Sequence, residues 1–217
     1  MSEPRGQRLL IISPAFHGYC HSIARGFRAL GYETAVHRYD AFDTVGAKLR
    51  NKLRYELPER FGADSRERAE ADLTRRAVEV LREHRPDRLL VIKADALGQA
   101  FWEEVRAQGV PHLLWLYDDL SRHRYDLDFL RQLPGVISYA RSEADMLAEA
   151  GVPAAYVPNG FDPELAPPQT RTQEEIVFVG SRYPNRVQLL EHLSGHGVPA
   201  RAYGRGWSHH PVDQLRT

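Results

Sequence analysis

An α/β fold, in which a parallel sheet is flanked by helices, is predicted by three observations. Short apolar runs rich in Leu, Ile and Val alternate with longer segments of helical periodicity, the pattern of successive βαβ units. Several helical segments are followed by glycine or proline, which punctuate them. Hydrophobic residues make up 42% of the 217 and aromatic ones 10%, enough to fill a core and too many for a disordered chain.

Taken in order, Arg8 to Ser13 is expected as a strand, Gly18 to Leu30 as a helix and Glu33 to His37 as a second strand. Between Ala41 and Arg60 a basic, amphipathic stretch with Lys48, Arg50, Lys52 and Arg54 reads as an excursion near the sheet's edge. Ser65 to His84 repeats apolar residues at helical spacing, and Arg88 to Lys93 follows as a strand. A helix from Gln99 to Gln108 leads to the apolar run His112 to Tyr117. A short helix at Asp126 to Gln132, a strand at Gly135 to Tyr139, a helix at Ser142 to Ala150 and a strand at Ala154 to Val157 complete the series. Ser142-Glu-Ala-Asp stands where a capping residue is wanted.

Pro158 to Thr172 holds four prolines and little periodicity, as a linker between domains does. A fresh βαβ unit then opens with a strand at Glu175 to Val179, a turn at Gly180 to Asn185, a helix at Val187 to Leu193 and a strand at Ala200 to Tyr203. The expected division is an N-terminal Rossmann-like domain over 1–165 and, over 166–217, the linker and a truncated start of a second Rossmann-like domain. Two strands alone would leave a sheet edge and apolar surface uncovered, so the chain reads as a fragment of a longer protein.

Composition narrows the function. Lys plus Arg equals Asp plus Glu at 29 each, so no net positive field draws the protein toward nucleic acid or an anionic membrane. The opening apolar run, Leu9 to Ile12, is far below the ~18 residues that span a bilayer. The single cysteine, Cys20, rules out an internal disulfide, and a reducing cytoplasm fits it.

The chemistry-bearing residues fall at strand ends, where open α/β sheets bind ligands. After the first strand comes Ser13-Pro14-Ala15-Phe16-His17-Gly18-Tyr19, with helical amides beyond Gly18 able to meet a phosphate or a sugar hydroxyl. Lys93-Ala94-Asp95 and Tyr117-Asp118-Asp119 end two further strands. His17, Asp95, Asp118 and Asp119 are therefore candidate catalytic groups, a tuned carboxylate serving as general base toward an acceptor hydroxyl. The alternative for either of the adjacent aspartates is a helix cap. Adjacent Asp118 and Asp119 do not form an Asp-x-Asp metal pair, and no metal is called for.

In the second unit, Phe178-Val179-Gly180-Ser181-Arg182-Tyr183-Pro184-Asn185-Arg186 runs from strand through glycine into a helix, with arginines near its start. Such a turn suits a diphosphate, because the guanidinium forks and the helix dipole both favour its oxygens. It follows Tyr156-Val157-Pro158-Asn159-Gly160-Phe161-Asp162-Pro163, read as a strand entering a tight Asn-Gly turn.

This pair of motifs resembles the domain junction of GT-B glycosyltransferases, and more closely of the CgeB-like group. The resemblance covers the whole chain in order of elements, with recognisable motifs in the last third. It implies that the first domain holds an acceptor, that the second binds a nucleoside-diphosphate sugar as donor substrate, and that no separate cofactor is used. Gly180, Ser181 and Arg182 would lie by the donor diphosphate, with Arg186 where relatives place a basic residue, and Asn159 and Gly160 would shape the hinge. Two departures stand out. The glycine-rich first loop is replaced by Pro14-Ala15-Phe16-His17-Gly18, and the acidic motif that relatives use for ribose and sugar is absent from this sequence, so this chain alone is expected to bind donor weakly or not at all and to be inactive in transfer. The rival readings are a non-catalytic binding or assembly module on the same fold and a nucleotide-sugar epimerase or other Rossmann oxidoreductase, disfavoured because no dinucleotide fingerprint follows the first strand.

Overall fold

The computed structural model describes residues 6–41, 65–165, 176–198 and 200–207. The chain divides into two compact units, Met1–Asp162 and Pro163–Thr217. The basic stretch expected between Ala41 and Arg60, apart from Ala41 itself, the later part of the linker from 166 to 172 and the start of the following strand at Glu175 lie outside the described residues.

The first unit is a Rossmann-like α/β layer. Its strands are β1 (Arg8–Ser13), β2 (Glu33–Arg38), β3 (Arg88–Ile92), β4 (His112–Trp115), β5 (Val136–Ser138) and β6 (Ala154–Tyr156). Its helices are α1 (Tyr19–Ala29), α2 (Ser65–His84), α3 (Gln99–Gln108), α4 (Leu127–Arg131) and α5 (Arg141–Glu149). All pairings are parallel, in the order β2-β1-β3-β4-β5-β6. A strand covered on both faces needs apolar side chains at successive positions, and β1 and β3 have them. Leu10, Ile12, Leu89 and Val91 pack with Ala77, Leu81, Phe101 and Val105 of α2 and α3. Leu9, Ile11, Leu90 and Ile92 point the other way, onto Ala24, Ile23 and Phe27 of α1. Each such aliphatic side chain contributes about 1.5–3 kcal/mol by leaving water, so the two central strands anchor everything that hangs from their ends.

Two local expectations change. The helix read from Ser142 begins at Arg141, with Ala140 in the capping position and no side-chain cap. Glu143, the acidic group of its first turn, instead accepts from Leu120 N at 2.7 Å and from Ser138 Oγ at 2.6 Å; it ties neighbouring loops rather than its own helix. Residues 157–162 contain no turn, and Gly160 is not left-handed, so the Asn159-Gly160 pair runs through as irregular chain.

The second unit pairs β7 (Ile176–Val179) with β8 (Ala200–Tyr203) in parallel, joined by α6 (Pro184–Gly195). The helix starts three residues earlier than periodicity suggested, because Pro184 occupies its first turn, where a fixed φ and a missing N–H cost nothing. Val187, Leu190, Ala202 and the fully buried Trp207 form the core.

Candidate functional site

The chain leaves β1 for β2 on one side, while β3 lies on the other. At such a reversal the connections depart onto opposite faces and their loops separate, opening a crevice at the carboxyl ends of the strands. The loops after β1, β3 and β4 border it.

The loop after β1 forms a single 3₁₀ turn, Phe16–Gly18, before α1. Gly18 caps α1 with φ +71° and offers no side chain to cap it, so this position favours glycine. The carboxylate of Asp40, just past β2, accepts from Ala15 N at 2.6 Å and fixes the loop. His17 sits on this turn; the structure describes its backbone.

The loop after β3 is strained. Lys93 and Ala94 have φ of +62° and +55°, at roughly 1–2 kcal/mol per residue that carries a Cβ. Two tyrosines from distant elements hold it: Tyr39 Oη accepts from Ala94 N at 3.3 Å, and Tyr125 Oη donates to Lys93 O at 2.7 Å. Burial pushes both phenols above their ordinary range. Tyr117, two residues beyond the end of β4, is also left-handed, with φ +67°. Three backbone outliers thus lie at two neighbouring strand ends, the kind of clustering that marks functional sites.

The candidate carboxylates take different partners. Asp118 accepts from Arg122 at 3.2 Å and pairs with Lys93 Nζ at 3.6 Å. Asp119 turns away and accepts from Tyr139 Oη at 2.6 Å, a hydrogen bond that, with burial behind it, pushes that phenol up to about 12. Asp119 stands at the cap of the turn Leu120–Arg122 without capping it through its side chain, unlike Asp126, which caps α4 through Phe129 N at 2.7 Å. Asp95 lies 3.8 Å from Nδ1 of His123, whose side chain is fully enclosed. Burial lowers the affinity of that imidazole for a proton, and Asp95 opposes the effect.

Beside the carboxylates stands an aromatic cluster. Phe16, Tyr19 and Tyr117 have ring centroids 5.9–6.3 Å apart, with Phe16 56% and Tyr19 48% exposed. Burial, then Tyr19 and Asp118, push the Tyr117 phenol up to about 12. Sequence reasoning singled out the segments holding Phe16 and Tyr117 for His17 and the aspartates, and passed over the rings. Tyr39, Tyr125 and Asp40 carried no local signal, since their partners are 55, 32 and 25 positions away.

In the second unit, Gly180 opens the turn after β7. A Cβ there would lie 3.1 Å from Nη1 of Arg186, which donates to Ser181 O at 2.8 Å and lies over the rings of Tyr183 and Phe178. Arg186 therefore braces the turn from inside, whereas Arg182 is exposed. Trp207 Nε1 donates to Gly180 O at 2.7 Å. Asn159 and Gly160 are exposed beyond β6.

Asp95 also borders a pocket of about 380 Å³ with Glu70, Gly98, Trp102, Arg124 and Tyr125. A larger one, about 660 Å³, lies at the opposite, amino end of the strands, among Arg82, Asp87, Gln108 and Pro111. Among the described residues no group of three His, Cys, Asp or Glu could hold a metal ion, and no helix is long and apolar enough to cross a membrane.

No protein-family model and no curated protein sequence matches this chain. The structure is similar to that of UDP-N-acetylglucosamine 2-epimerase from Rickettsia bellii, with a TM-score of 0.53 at 10% identity over 98% of this chain and 67% of that one. Further neighbours are SsfS6, a glycosyltransferase of Streptomyces sp. SF2575 (TM-score 0.48, 14% identity, 92% of this chain and 72% of that one), and Arabidopsis thaliana UGT89C1 complexed with UDP-L-rhamnose (0.45, 11%, 91% and 64%). At these identities the likeness to the epimerase shows the fold, a Rossmann-like α/β architecture of the GT-B type. None of these neighbours bears on the narrower CgeB-like resemblance.

Proposed function

We propose that this protein takes part in sugar transfer from a nucleoside-diphosphate sugar, with the crevice of the first unit as acceptor site. The observation that carries the reading is the convergence of the loops after β1, β3 and β4 at the topological switch point, with strained backbone and carboxylates on the same edge. A nucleoside-diphosphate sugar as the donor is in keeping with the fold neighbour named for UDP-N-acetylglucosamine and with the Gly180-Ser181-Arg182 turn. The narrower form of the proposal, membership of the CgeB-like group, rests on the two junction motifs.

The reaction has a simple balance. An acceptor hydroxyl loses its proton to a base, its oxygen bonds to the anomeric carbon, and the bond from that carbon to the diphosphate oxygen breaks, releasing the nucleoside diphosphate. Of the candidate carboxylates, Asp95, set against the buried His123, is the stronger base, because Asp118 and Asp119 are engaged by Lys93, Arg122 and Tyr139; His17 is the other candidate. Arg182 is the side chain assigned to the diphosphate, and Arg186 acts behind it by holding the turn.

That engagement of Asp118, Asp119 and Arg186 also favours a second reading, a non-catalytic binding module on the same fold. Incubation with a panel of nucleotide sugars and small hydroxyl acceptors, followed by mass spectrometry, separates the two. Release of nucleoside diphosphate with a glycoside product supports transfer. Nucleotide-sugar binding without turnover, under all pH values between 5 and 9, supports the module.

A further inference from the structure

We infer that the carboxyl end of α6 carries a divalent transition-metal site built from His192 and His196. The two residues lie four positions apart across the last turn of the helix, so their side chains meet on one face, and both are exposed. Their ring centroids are 4.3 Å apart, with 45° between the planes. A metal–nitrogen bond of about 2.0–2.1 Å puts each ring centre about 3.2 Å from the ion, so two rings that share one ion stand about 4.5–5 Å apart. The pair already sits close to that spacing. Its tilt also departs from a parallel stack, in which the in-plane lone pairs could not converge.

The hydrogen bonding around the pair points the same way. His196 Nδ1 lies 2.8 Å from the carbonyl oxygen of His192, and a carbonyl only accepts, so Nδ1 carries the hydrogen and the lone pair sits on Nε2. An imidazole that binds a metal commonly gives its other N–H to a carbonyl in this way, which fixes the tautomer and the ring orientation. His196 is moreover the C-terminal cap of α6, where the helix dipole favours a cation.

Two imidazoles select the ion. They suit Cu²⁺, Ni²⁺ and Zn²⁺ rather than Mg²⁺ or Ca²⁺, and affinity among these peaks at Cu²⁺. Among the described residues no third His, Cys, Asp or Glu joins the pair, so water fills the remaining positions and the ion is exchangeable. The site stands at the far end of α6 from the Gly180-Ser181-Arg182 turn, about 15 Å along the axis, and the inference is independent of the transfer reading. The ion's effect is on the helix end. Gly195 and Gly197 flank His196, and Gly197 is left-handed at φ +71°. Glycines give this end freedom to fray, and an ion bridging residues 192 and 196 closes the last turn before β8.

The test is a calorimetric titration of Cu²⁺ into the full chain in a non-coordinating buffer, repeated with Zn²⁺ and Mg²⁺, and electron paramagnetic resonance of the Cu²⁺ complex. One dominant saturable site is expected, tighter for Cu²⁺ than for Zn²⁺ and absent for Mg²⁺, with nitrogen ligands in the resonance spectrum. His192→Ala and His196→Ala should each weaken Cu²⁺ binding at least about tenfold, because the second imidazole binds intramolecularly at a high effective concentration. Glu191→His combined with His192→Ala keeps the number of histidines but moves one off the shared face, and should weaken binding as much. His21→Ala, on α1, should leave binding within about twofold of the native chain. All four positions are exposed, so the variants should fold, which circular dichroism checks. Saturating Zn²⁺ should slow amide exchange at His196 and Gly197 in the native chain and not in His192→Ala. No saturable binding, indifference to the two alanine variants, equal binding by the register-shifted variant, or unchanged exchange at the helix end overturns the inference.

Discussion

His123 Nδ1 lies 3.8 Å from the carboxylate of Asp95, and the imidazole is sealed beneath the crevice, stacked on Tyr125 at 5.8 Å between ring centroids. Burial outweighs the carboxylate, so the folded protein favours the neutral ring. Lys93 works in the same direction as burial, while Asp118 works with Asp95.

The sign of the resulting pH dependence follows. With the folded-state affinity lowered, the unfolded chain takes up the proton first, so the stabilisation is complete above the unfolded pKa of about 6.5 and is lost as pH falls below it. Urea unfolding at pH 7.5 and 5.5 should show lower stability at 5.5. His123→Phe keeps the ring stack and should flatten that slope. A residual slope of the same sign is expected from His37, also lowered by burial. An unchanged slope in the variant would remove His123 from the account.

The strained loop after β3 makes a coupled prediction. Tyr125→Phe removes the donor to Lys93 O, and Tyr39→Phe removes the acceptor of the buried Ala94 N; each should lower stability by about 1–2 kcal/mol. Lys93→Gly should relieve about 1 kcal/mol of left-handed strain, offset in part by loss of the partly exposed, 3.6 Å ion pair with Asp118. Thermal unfolding of the single and double variants gives the coupling, and additivity throughout would show that the tyrosines do not brace this turn.

Two glycines of the second unit should respond in opposite degree. A Cβ on Gly204 would stand 2.3 Å from Gly180 O, with φ at +133°, and backbone cannot swing aside. Gly204→Ala should therefore destabilise the unit by more than about 2 kcal/mol and break the Trp207 to Gly180 hydrogen bond, seen as a red shift in tryptophan fluorescence. Gly180→Ala meets side chains rather than backbone, the guanidinium of Arg186 at 3.1 Å and the ring of Phe178 at 3.2 Å, which can give by a few tenths of an ångström, and should cost about 1 kcal/mol. Equal effects would contradict the close approach.

Arg25 of α1 and Asp162 form an ion pair. The carboxylate is 9% exposed, so removing it leaves a partly enclosed guanidinium short of one acceptor. Asp162→Asn should lower stability by about 1–2 kcal/mol, read from denaturant midpoints, and a change below about 0.3 kcal/mol would show the pair to be incidental.

The layered architecture was legible because β1 and β3 are buried on both faces and so must be apolar without interruption, and because α1, α2 and α3 repeat at helical spacing. The strand-end positions of His17, Asp95, Asp118 and Asp119 followed from that pattern alone. Their partners did not. Lys93 meets Asp118 and Tyr125 meets Lys93 O only once β3 and β4 lie side by side, and a one-dimensional pattern carries no such pairing. The Ser142 cap failed for a related reason: the helix begins one residue earlier, at Arg141, and Glu143 of its first turn is recruited by Leu120 and Ser138 from other elements. Arg186 looked equivalent to Arg182 in the sequence, yet only the packing of Phe178 and Tyr183 turns one inward.

The most direct measurement is saturation-transfer NMR of UDP, TDP and GDP with the protein and with Arg182→Ala, a method that detects millimolar binding. The account predicts that at least one nucleoside diphosphate receives saturation through its phosphate-bearing end, and that the variant loses it. No transfer to any of the three, or transfer unaffected by Arg182→Ala, would contradict the nucleotide-sugar reading of the second unit.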